Sequence, residues 1–178
     1  MGVDIHVIPC VYNCKTNLFE EVALYVPGES YHYDKEGNKI VDNPDFKKVY
    51  IYNGRNTEMF DGMKHGNETD GYGVFPYAVI SLNSLEPKLR EKITEYSKIE
   101  GYYDFYEINL ADMKNYLNDH PTVVDYDKDW DENKPAPRKE NPIKGLFEEI
   151  CAYLKFACEW DWEYLPLSHF KILFFFDC

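Results

Sequence analysis

His169-Phe170-Lys171-Ile172-Leu173-Phe174-Phe175-Phe176-Asp177 is the stretch that decides the fold. Its aromatic and β-branched residues suit a strand rather than a helix. It is apolar at successive positions, so both faces need cover, and it belongs in the middle of a sheet with helices packed on at least one side. It is far too short for the about 20 apolar residues of a membrane-spanning helix.

Working outward, the opening residues give this strand a partner. Val3, Ile5, Val7 and Val11 fall on one face of an alternating run, with Asp4, His6, Ile8, Cys10 and Tyr12 on the other. Asn13-Cys14-Lys15-Thr16-Asn17 reads as a turn, and Leu18 to Val26 as the second strand of a hairpin. Tyr31-His32-Tyr33 and Asn38-Lys39-Ile40-Val41 flank Asp34-Lys35-Glu36-Gly37, which predicts a polar surface hairpin within about 29–47. Lys48 to Tyr52 is a further short strand.

The helices follow from caps and stripes. Asn56 caps a helix running to about Met63, and the glycine-rich stretch 62–73 is an irregular loop. Ser84 opens a second helix with the stripe Leu85, Leu89, Ile93, Tyr96, stopped by Gly101. Tyr102 to Ile108 reads as a strand, and Asn109 caps a helix to about Leu117. Most of the charged, proline-bearing segment 119–140 reads as an exposed loop. Pro142 starts the strongest helix, with Ile143, Leu146, Phe147, Ile150, Leu154, Ala157 and Cys158 on one face. The expectation is one α+β domain over 1–178: a mixed or antiparallel sheet, N- and C-terminal strands central, packed by two to four helices.

Composition narrows the function classes. The 178 residues carry a formal charge of −13, with only Arg55, Arg90 and Arg138 as arginines, which argues against direct nucleic-acid binding through phosphate contacts. Sixteen tyrosines and eleven phenylalanines fit a Tyr-rich core edge, or a stacking surface for a ring. The opening residues lack a secretory pattern, which predicts a cytoplasmic protein with no membrane partner. Five cysteines at irregular spacing give no disulfide framework. Cys10 and Cys14 with a distant histidine are a weak zinc arrangement; reduced thiols are the simpler reading.

Two places carry candidate chemistry. Asp4 and His6, two apart on a strand, point to one face and pair a hard carboxylate with an imidazole, the donor set for a divalent metal. The alternative is that they hydrogen-bond to each other or to turn amides. The turn Asn53-Gly54-Arg55-Asn56 presents free amides and a guanidinium to an anion, unless Arg55 merely pairs with a carboxylate. Tyr72, in the aromatic run Gly71-Tyr72-Gly73-Val74-Phe75-Pro76-Tyr77, adds a pocket wall. Asp125 to Asp131 alternates acids like a calcium loop, but Trp130 and Ala136 stand where glycine and glutamate belong, so a solvated acidic loop is the better reading. No nucleophile elbow or phosphate-binding glycine loop is present, and no cofactor motif is read.

Met1-Gly2-Val3-Asp4-Ile5-His6, Gly54-Arg55-Asn56 followed by Phe60, Asn109-Leu110, and Ile172-Leu173-Phe174-Phe175-Phe176-Asp177 together resemble a set of small bacteriophage and prophage proteins. Those open Met-Gly-Cys-Asp-Ile-His and close on an aromatic strand ending in Asp. The resemblance implies a phage or mobile-element origin and no particular activity. Val3 replaces the usual cysteine, and Tyr102-Tyr103-Asp104-Phe105-Tyr106 stands where a His-rich stretch is expected. If those histidines hold a metal in the relatives, this chain has either lost the ion or uses Asp104 as one ligand.

The leading functional expectation is a phage-type cytoplasmic ligand-binding protein that sequesters a host nucleotide signal to counter defence. Asp4, His6, Asn53, Arg55, Asn56 and Tyr72 would form its pocket. The alternatives are a metal-dependent hydrolase or phosphoesterase with Asp4 and His6 as ligands, and an acidic inhibitor that binds a host protein.

Overall fold

The computed structural model describes residues 3–53 and 56–177, and for Tyr52 and Asn53 the backbone alone. The strand β12 (Phe170–Asp177) lies in the middle of an antiparallel sheet, as its two apolar faces require. On one side it pairs with β1 (Asp4–Asn13), with Asp4 opposite Asp177 and Val11 opposite Phe170. On the other it pairs with β9 (Tyr102–Asn109), which in turn carries the short β8 (Ala78–Val79).

The outer edge of β1 is shared by two strands. Residues 5–7 pair with β7 (Ile51–Asn53), and residues 10–13 pair with β2 (Leu18–Glu21). Between them, at Ile8 and Pro9, neither ladder continues; Pro9 has no N–H, and its carbonyl accepts from Val22 N at 2.9 Å.

Alternation along β12 divides the core. Phe170, Ile172, Phe174 and Phe176 face a large cluster built with α1 (Thr57–His65), α3 (Leu110–Asp119) and α4 (Ile143–Ala157). Leu173 and Phe175 face a smaller cluster with Leu89 and Ile93 of α2 (Pro87–Tyr96). Helices therefore cover both faces, each buried side chain contributing roughly 1.5–3 kcal/mol. Asn56 caps α1 through Met59 N (3.0 Å) and Asn109 caps α3 through Ala111 N (2.7 Å), as the sequence predicts.

Several local expectations are corrected. The stretch 18–26 is two strands: β3 (Leu24–Pro27) leaves the main sheet to pair with β6 (Phe46–Val49). Tyr153 of α4 fastens this ribbon, receiving a bond from Leu24 N (2.8 Å) and donating to Val49 O (3.1 Å). Glu86 rather than Ser84 caps α2, its carboxylate accepting from Leu89 N at 2.9 Å. Segment 119–140 is not wholly exposed: β10 (Thr122–Val124) pairs with β11 (Arg138–Glu140), burying Val123 and Val124. The polar hairpin is present as β4 (Ser30–Tyr33) and β5 (Lys39–Asn43). A short helix, α5 (Glu159–Tyr164), follows α4, one more than the two to four helices the sequence predicts. Among the described residues no helix is long and apolar enough to cross a membrane.

Candidate functional site

The seam between β7 and β2 opens a cavity of ≈ 490 Å³. Ile8 and Pro9 form its floor at the seam, and Ile51 and Glu21 mark the two neighbouring strands. Its aromatic wall begins with His6, which alternation places on the α2 face of β1. The imidazole stacks on Phe175 (centroids 4.8 Å, planes 5° apart), and Phe175 stacks on Phe105 (4.9 Å, 19°). Three rings on adjacent strands thus form a ladder across β1, β12 and β9. Tyr102 leans on both His6 (5.2 Å) and Phe175 (5.0 Å), and Tyr96 of α2 closes over Phe175 at 5.5 Å. Phe105 reaches the ladder through a bulge: Asp104 takes φ +58, and the register with β12 shifts between Phe174 and Phe176.

The polar wall is Glu21 with two lysines. Lys92 of α2 meets the Glu21 carboxylate at 2.8 and 3.1 Å, and Lys48 of β6 hydrogen-bonds the same carboxylate. The Lys48 ammonium also lies over the Tyr50 ring at 5.3 Å. Two ammonium groups on one carboxylate leave a positive excess in a chain of net charge −13. Burial pushes the Glu21 carboxyl up, but the hydrogen bonds from Lys48 and Lys92 outweigh it and hold it below the usual range. Burial pushes the Lys48 ammonium down, whereas at Lys92 the Glu21 carboxylate overcomes burial and raises it. The same three residues wall an adjoining cavity of ≈ 500 Å³ that also touches Tyr25 and Lys88.

The sign of the Glu21 shift yields a prediction. A carboxyl depressed in the folded state contributes stability above its ordinary value, about 4.3, and loses it as pH falls through the folded value. Urea unfolding of Glu21→Gln should therefore show a deficit against the parent at pH 7 that narrows as pH falls below the ordinary carboxylate range. An unchanging deficit across that window would mean that the lysines do not hold the ionised form.

The residues singled out in the sequence do not all converge. His6 lines the cavity; Asp4 is not among the lining residues and sits opposite Asp177 in the ladder. His6 Nε2 is 3.6 Å from Asp177 Oδ2. Asn56 has its side-chain oxygen on the first turn of α1. Asn53 pairs with Ile5 through its backbone, and Arg55 lies outside the described residues. Tyr72 lines a different cavity, of ≈ 510 Å³, and donates to Glu58 Oε1 at 3.1 Å. Its ring packs flat against α1 because Gly62 has no Cβ to meet it.

Among the described residues, no group of three or more His, Cys, Asp or Glu side chains is arranged to hold a metal ion. Asp104 is engaged by Lys64, which also donates to the Tyr106 hydroxyl at 3.0 Å. Cys10 is buried beside Ile8 while Cys14 is exposed in the turn. Asp125 and Asp127 sit beside Lys139 at 3.8 and 3.4 Å, so the acidic loop neutralises part of its own charge.

Nothing local in the sequence marks Glu21, Lys48 and Lys92. They meet only through tertiary pairing of β2, β6 and α2, and none has a local motif. Lys48 beside Val49-Tyr50 was the one available hint, a cation entering an aromatic strand. No family model matches the chain, and no curated protein or solved structure matches it significantly.

Proposed function

We propose that this chain binds a small anionic ligand carrying a planar ring, of the nucleotide class, in the cavity at the β2–β7 seam. The observation that carries the reading is the pairing of two chemistries in one hollow. The His6–Phe175 wall with Tyr102 and Tyr96 offers faces on which a ring can stack, and Lys48 and Lys92 share one carboxylate at the polar end. An anion entering there meets an ammonium pair only half neutralised by Glu21. The resemblance to phage proteins supports reading such binding as sequestration of a host nucleotide signal in a bacterial cytoplasm, blunting host defence.

A hydrolase built on Asp4 and His6 needs at least one further ligand for its metal. Asp177 lies beside the pair, 3.6 Å from His6 Nε2 and opposite Asp4 in the ladder, but among the described residues no group of three such side chains is arranged to hold an ion, which favours binding over hydrolysis.

Calorimetric titration with mononucleotides and cyclic dinucleotides tests it, each against its uncharged nucleoside. Saturable binding is expected for at least one nucleotide, with the nucleoside weaker. Lys92→Met should reduce affinity by about tenfold, the value of one lost charge-assisted hydrogen bond. Lys139→Met, in the Tyr72 cavity, should leave it unchanged. Absence of heat with every nucleotide at millimolar concentration, with circular dichroism showing folded protein, would overturn the proposal.

A further inference from the structure

The outer surface of the α4–α5 junction carries aromatic side chains that the core does not use. Phe156, Trp160 and Tyr164 follow one another at four-residue steps and are 79%, 71% and 60% exposed. The rings of Trp160 and Tyr164 lie together, centroids 4.3 Å apart. Trp162, between them in sequence, turns inward onto Phe170 at 5.2 Å and fastens α5 to the sheet layer. Trp160 and Tyr164 are therefore held on an anchored helix, with Phe156 exposed near the end of the preceding α4. Large rings left in water on a fixed scaffold are what protein interfaces bury, and Trp and Tyr are the usual anchors there.

Charge selects the occupant. From residue 148 to 164 the chain has five carboxylates, Glu148, Glu149, Glu159, Asp161 and Glu163, against the single cation Lys155. A second copy would bring the same negative rim against itself, and like charges facing each other are penalised. An anionic lipid surface is repelled for the same reason. A basic protein surface with an apolar groove complements both features: the groove takes the rings and the cations meet the rim. We infer that the exposed Trp160–Tyr164 pair, with Phe156 on the preceding helix, docks on a basic, groove-bearing partner protein, independently of the ligand cavity.

Two synthetic amphipathic helices probe this, one of Lys and Leu and one of Glu and Leu, titrated into the full chain at low and high salt. The Lys/Leu helix should bind, more weakly at high salt, and the Glu/Leu helix should not. Because any acidic protein attracts a basic peptide, variants decide the outcome. Trp160→Ala with Tyr164→Ala should weaken Lys/Leu binding by about tenfold or more. Trp130→Ala removes another exposed tryptophan, 56% exposed in the acidic loop, and should leave binding unchanged. Equal affinity for both helices, equal behaviour of the two variants, or a dimer in sedimentation that the double variant dissolves would each overturn the inference.

Discussion

Phe174→Ala should lower the unfolding free energy by about 3–5 kcal/mol, the cost of emptying a phenylalanine site in a close-packed core. Phe174 has no exposed surface and lies on β12 between β1 and β9. Its ring meets Tyr106 and Phe176, both at 5.8 Å, and Tyr77 at 6.2 Å. The strand is hydrogen-bonded on both edges, so the backbone cannot shift to fill the void, which favours the upper part of the range. Domains have only about 5–15 kcal/mol in hand, so the variant should unfold at markedly lower urea. Val79→Ala, on the exposed two-residue β8, is the control and should move the midpoint little. Similar midpoints for both variants would mean that the aromatic strand is not the centre of the sheet.

The second large effect concerns the buried charge in that strand. Lys171 is buried, yet its ammonium donates to Glu107 Oε2 (2.8 Å) and Ser84 Oγ (3.0 Å) and lies over the Phe19 ring at 4.1 Å. Lys171→Met keeps the apolar stem and removes the charge. Glu107 then loses its counterion while largely shielded from water, and breaking such a pair costs about 3 kcal/mol or more. Removing the carboxylate as well should repair most of this, because two apolar residues replace two desolvated charges. The double variant Lys171→Met/Glu107→Met is thus expected within about 1 kcal/mol of the parent in urea unfolding. Additive losses in that cycle would show that the two groups do not depend on each other.

These two residues also show what was legible beforehand. The aromatic strand could be placed centrally from its pattern, since a run apolar on both faces has nowhere else to go. The alternation of β1 could be read as well, and with it the face on which His6 lies. Asn56 and Asn109 declared their helices because a cap bonds within three residues of itself. What failed was non-local. Val123 and Val124 are two apolar residues in a charged segment; residues 122–124 pair with β11, and Val123 joins the main core, contacts that no local pattern announces. The break between β2 and β3 has no turn signature, because it is imposed by β6 competing for the second half of the strand. Half of the candidate site was hidden for the same reason: His6 sits on a readable face, whereas Glu21, Lys48 and Lys92 are brought together by three separate elements.

The placement of β12 has a bearing on how the chain reaches its native state. The strand that both halves of the sheet lean on is the last element of the described chain, and its first partner is the first. Closing so long a loop is entropically slow, and topologies ruled by distant pairings fold late rather than early. Until Phe170–Asp177 is made, β1 and β9 each lack the strand that joins them into one sheet. The interval before that insertion is when the nascent protein is most exposed to wrong pairing, and most in need of a chaperone.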